Sequence, residues 1–95
     1  MSTNEPNLDM LDYSESNALT VWRQAKDILR EHGRLCADEI ADKIDAGACG
    51  YEEPSIRHGV LPAMREPLRE QGFISVNEVA GADEKITKKE WVLAE

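Results

Sequence analysis

The chain has 95 residues, enough for one domain with a modest core; 41% are apolar but only 5% aromatic, so aliphatic side chains must do most of the packing. A formal charge of −8 argues against a broadly basic nucleic-acid surface, although a local basic face can coexist with a negative total. No apolar run approaches the roughly 18 residues of a membrane helix, and the start lacks the basic and apolar regions of a secretory signal, so the cytoplasm is expected and a membrane partner is not.

Residues 1–16 read as a disordered acidic leader, with the folded domain over residues 17–95. The leader carries Glu5, Asp9, Asp12 and Glu15, no basic residue and no helical period. Its few apolar side chains, Leu8, Met10, Leu11 and Tyr13, could dock on a partner. Asn17 is a suitable N-cap for a first helix. From Ala18 to His32, Trp22, Ala25 and Leu29 form an apolar stripe flanked by Val21 and Ile28, and Gly33 suits the helix end.

The segment Leu35–Gly47 is predicted to be a second, shorter helix. Cys36 takes its N-cap position and Glu39 stands three residues on, where a capping box places Glu. Ile40, Ala41 and Ile44 face the core. A thiol at a helix N-terminus tends toward a lowered pKa, which makes Cys36 a candidate redox position. After the loop 48–54, a third helical stretch places Ile56, Val60, Met64 and Leu68 at four-residue intervals. Pro62 and Pro67 interrupt it, each removing a backbone donor, so an irregularity is expected between Gly59 and Pro62 or near Pro67. Gly72 ends the helix. FISVNEV and EWVLA then form two strands around the loop 80–89. Trp22, Leu29, Ile40, Ile44, Val60, Met64, Leu68, Phe73 and Trp91 are expected to share one core.

Three pieces of this pattern resemble a winged helix-turn-helix domain of the kind found in MarR- and GntR-type bacterial or phage regulators. They are LCADEIADKI, MREPLREQGFI and the closing EWVLA, and the resemblance covers residues 18–94. It implies an α+β, mainly α fold of three helices with a C-terminal β-hairpin wing. It also implies a third helix that enters the DNA major groove and a wing that touches the backbone. Carried over position by position, the DNA-facing candidates are Ser55, Arg57, His58, Arg65 and Arg69, with Lys85, Lys88 and Lys89 as phosphate-neutralising residues of the wing. Arg57 and Arg65 suit bidentate contact with guanine.

Other features point toward a protein partner instead. The second helix carries Asp38, Glu39, Asp42 and Asp45 against one Lys43, and Glu52 and Glu53 precede the third. A winged helix used as an adaptor, complex subunit or inhibitory DNA mimic is therefore the alternative to a DNA-binding regulator, and a homodimer is compatible with either. His32, Cys36, Cys49 and His58 follow the pattern H-x3-C-x12-C-x8-H, which lacks the close pairs of a zinc site, so neither metal nor cofactor is expected. No glycine-rich phosphate loop or nucleophile elbow is present. Ser55 and His58 lie on one helix face without a carboxylate arranged to orient the imidazole. An enzyme is not expected.

Overall fold

The computed structural model describes residues 5–9, 11, 13–80 and 87–94. Helix α1 spans Glu15–His32 and buries Ala18, Val21, Trp22, Ala25 and Leu29, the stripe that its periodicity predicts. It begins two residues before Asn17, with Ser14 as N-cap, and ends at Gly33, whose φ of 87° favours glycine. Strand β1, Arg34–Cys36, follows at once. Helix α2 covers Ala37–Lys43, and Glu39 Oε1 accepts the Cys36 amide at 3.1 Å, as the capping box requires. This helix stops earlier than predicted: Ile44 is already extended, and Gly47–Cys49 forms a separate 3₁₀ turn.

The third helical stretch is composite. A short α3, Glu53–Ser55, opens into a π-helical segment, Ile56–Val60, which leads into α4, Leu61–Glu70. In the widened segment the Leu61 amide donates to the Ile56 carbonyl, five residues back. The cause lies one residue on. Pro62 has no amide hydrogen, and in a regular α-turn its ring would collide with the His58 carbonyl. The expected irregularity is therefore present. Pro67 sits inside α4, where it is buried with Leu61, Met64 and Leu68.

Strands β2, Ile74–Ala80, and β3, Thr87–Leu93, form an antiparallel pair. β3 also pairs with β1, giving the sheet order β1-β3-β2. The β1 register places Leu35 opposite Trp91 and ends at Cys36 opposite Glu90. The sequence reading assigned Leu35 and Cys36 to the edge of a helix and did not anticipate β1. Three residues are too few for alternation to show. The class is α+β, with helices packed on a small antiparallel sheet.

One core unites these layers. Of the nine expected core residues, eight are buried, and Phe73 packs beside them edge-on to Trp22 with ring centroids 5.9 Å apart. Trp22 and Trp91 are the two largest side chains in this core, and aliphatic residues fill the space around them.

The expectation of a structureless leader does not hold for the described residues of the N-terminal segment. Pro6 is buried and Leu8 has no exposed surface at all. The Gln71 side chain holds Asn7 by both backbone groups, accepting its amide at 2.7 Å and donating to its carbonyl at 2.8 Å. Glu5 pairs with Arg23 of α1 at 2.6 Å. Tyr13 stands edge-on to Tyr51, and a Cβ at Gly59 would come within 2.6 Å of the Tyr13 hydroxyl. The partners of this segment lie on α1 and at both ends of the third helical stretch, so no local period announces them. Leu8→Ala is expected to lower the unfolding free energy by about 2–5 kcal/mol through the cavity it leaves. Urea denaturation measures this, and an unchanged midpoint would contradict the packing of Leu8.

Candidate nucleic-acid interface

Ser55 is exposed at the end of α3, and His58 is exposed on the π-helical segment. Arg57 lies beside His58, Arg65 and Arg69 lie on α4, and Lys88 and Lys89 lie on β3. Lys85 is outside the described residues. Tertiary structure brings four of these residues together. Arg57, Arg65, Lys88 and Lys89 line one cleft of about 260 Å³, with Pro62 and the stretch Cys36–Asp38 completing its walls. Ser55, His58 and Arg69 do not line it.

The β1 register explains why the cleft exists. β1 stops at Cys36, opposite Glu90, while β3 begins three residues earlier, at Thr87. Lys88 and Lys89 therefore have strand partners on the β2 side, Val79 and Glu78, and none on the β1 side. At that uncovered edge the chain turns from Cys36 into α2, and α4 closes the third side with Pro62 and Arg65. Successive strand residues project to opposite faces, so two adjacent lysines flank the edge from both sides.

Carboxylates meet most of these cations. Arg57 is half-buried and paired with Asp42, and its Nε donates to Glu53 Oε1 at 2.6 Å. Those hydrogen bonds, Asp42 first, hold its guanidinium even above the usual arginine range. Its fork is thus committed to acids of α2 and α3, and the guanine-reading role expected of Arg57 requires breaking both pairs. Arg69 pairs with Glu66 at 2.5 Å, and Lys89 with its cross-strand neighbour Glu78 at 2.5 Å. Arg69 and Lys89 in turn lower the Glu66 and Glu78 carboxyls below their ordinary range. Arg65 Nε reaches Glu66 only at 4.0 Å, beyond hydrogen-bond distance, and has no hydrogen-bond partner among the described residues. Lys88 is exposed and makes no ion pair among the described residues.

The Glu53–Arg57 pair was legible as an i, i+4 spacing. The Asp42–Arg57 pair was not, because it joins two helices whose angle only the core decides.

Cys36 departs from expectation. Its thiol is pushed up, first by burial and then by Glu39 and Glu90, against which Lys88 acts weakly. Cys49 is likewise raised, by burial and then by Asp45. His32 and His58 are exposed, Cys49 is buried, and among the described residues no group of three or more His, Cys, Asp or Glu side chains could hold a metal ion. Among the described residues no helix is long and apolar enough to cross a membrane.

Comparison with protein-family models, with curated proteins and with solved structures gives no match.

The raised thiol carries an expected outcome. Native Cys36 should react with iodoacetamide more slowly than an unstructured cysteine peptide at every pH below the ordinary thiol range, because less of it is thiolate. Mass spectrometry of alkylation against pH measures this, and a faster native rate would overturn it.

Proposed function

We propose that this chain is a winged-helix DNA-binding module of the regulator type. The observation that carries the reading is the meeting of Arg57, Arg65, Lys88 and Lys89 in one cleft between the third helical stretch and β3. The element order, helix–strand–helix–helix–strand–strand with the sheet order β1-β3-β2, supports it as well. In such a module the third helix and the β2–β3 hairpin approach the duplex together.

The surface has two chemically distinct halves. Toward α2 it is acidic, and Asp42 and Glu53 already engage Arg57. Toward α4 and β3 it offers Arg65, Lys88 and Lys89, of which Lys89 has an exposed carboxylate partner that a phosphate can replace. Phosphate contact therefore falls to the α4–β3 half. The π-helical segment that carries Arg57 and His58 directly after Ser55 also departs from regular helical spacing, so groove reading by these three residues is a lesser contribution than backbone contact.

The second reading is a winged helix that binds a protein. The carboxylate clamp on Arg57 favours it, because it ties up a base-reading candidate, while the exposed Asp38 and Glu39 keep the start of α2 acidic.

Titration of a labelled duplex at low and moderate salt separates the two. DNA binding should be strongly salt-dependent, and Lys88→Ala and Lys89→Ala should each reduce the slope of log K against log salt by about one. Arg57→Ala should change affinity least, since its guanidinium is already paired. Absence of even non-specific binding at low salt would remove the DNA reading and leave the protein-binding one.

A further inference from the structure

The α4–β3 cleft has the build of a pocket as well as a stretch of charged surface. Its cations arrive from three separate elements: the π-helical segment, α4 and β3. Asp38 is the one carboxylate among the residues that line it. Its volume of about 260 Å³ equals several waters, each of which takes roughly 30 Å³ in the liquid, and so suits one or two phosphate groups.

Two of the cations also have donors to spare. Lys88 is exposed and makes no ion pair among the described residues, and Arg65, whose side chain is 28% exposed although its Nε is enclosed, meets the Glu66 carboxylate only at 4.0 Å. An arginine and a lysine converging on a small concave site are suited to a compact oxyanion that carries more than one negative charge. A single monoanionic backbone phosphate would use little of that capacity.

We infer that the cleft between α4 and β3 is a binding pocket for a terminal phosphate group, carried by a small phosphomonoester or diphosphate, with Arg65 and Lys88 as its principal ligands. The same chemistry is presented by a free phosphoester and by the 5′-phosphate of a nucleic-acid strand. The pocket does not depend on duplex binding. Occupied by a free ligand, it would compete with duplex phosphates for Lys88 and Lys89.

The test is an amide-resolved NMR titration of the full chain with inorganic pyrophosphate at constant ionic strength. A saturable response confined to the amides of Cys36–Asp38, Arg65 and Lys88–Lys89 is expected. Arg65→Gln and Lys88→Gln should each weaken it about ten-fold, the loss of one charge-assisted hydrogen bond. Lys43→Gln makes the same charge change outside the cleft, at an exposed residue of α2, and should leave the affinity unaltered. Thermal melts of the three variants, expected to match the parent, exclude misfolding as the cause, and Lys88, being exposed, is the safer of the two cleft positions. The inference is overturned by a response that does not saturate, by shifts spread over all basic residues, or by a Lys43→Gln effect as large as that of Arg65→Gln.

A dinucleotide with a 5′-phosphate, compared with its 5′-hydroxyl form, identifies the source. Preference for the phosphorylated strand supports the pocket with a strand end as ligand. Pyrophosphate binding without that preference supports it with a free phosphoester. Pyrophosphate binding in a protein that ignores duplex DNA keeps the pocket and removes the DNA reading. Salt-dependent duplex binding without saturable pyrophosphate binding does the reverse.

Discussion

The pairing of β1 with β3 is the contact on which the rest of the structure depends. It joins the middle of the chain to its end and sets Leu35 against Trp91 in the core. Because β1 is only three residues long, the pairing also stops short and leaves the start of β3 uncovered on that side. α2 begins where β1 ends, and α4 packs over the same corner, so a short strand becomes one wall of a cleft. A longer β1 would satisfy the β3 backbone and bury the edge that Lys88 and Lys89 flank.

Proline governs the second feature. A buried helix must satisfy its amide and carbonyl groups within itself, and a proline in mid-helix removes one donor and crowds one carbonyl. Here the chain widens to a π-helical segment before Pro62 and then resumes as α4, so Ile56, Val60, Leu61, Met64 and Leu68 all reach the core despite the interruption. Gly59 lies within the widened segment, where the Tyr13 hydroxyl takes the space of a side chain. The N-terminal segment thus packs on the part of the third stretch whose hydrogen bonding is least regular.

Charge in this protein is organised locally. With a total of −8, a cation gains binding capacity only where its neighbours leave it unneutralised. Arg57 and Arg65 had the sequence positions best suited to reading a base, yet Arg57 is paired with two carboxylates. Lys88, which the sequence places in the wing loop, lies on β3 and makes no ion pair among the described residues. Two glutamines act in a parallel way on the backbone. Gln71 clasps Asn7, and Gln24 clasps Asp45, accepting its amide at 2.8 Å and donating to its carbonyl at 3.4 Å. Each side-chain amide offers one donor side and one acceptor side, as a neighbouring strand would, and so fixes a segment that has no regular structure.

Features set by neighbours in sequence were legible in the sequence. The α1 stripe, the Cys36–Glu39 cap, the disturbance before Pro62, the two closing strands and nearly all of the core follow from periodicity, capping chemistry and the missing proline donor, which act within one or two turns of chain. Features set by residues distant in sequence were decided only by the tertiary fold. Strand β1 forms by pairing with β3, which sets Leu35 opposite Trp91, and Leu8 is buried in a core built by residues distant from it in the chain. Arg57 is clamped because α2 meets the π-helical segment with Asp42. The candidate cations themselves were visible as residues. Which of them share a cleft, and which are spent on neighbouring acids, depends on distances that close only when the sheet and the helices pack.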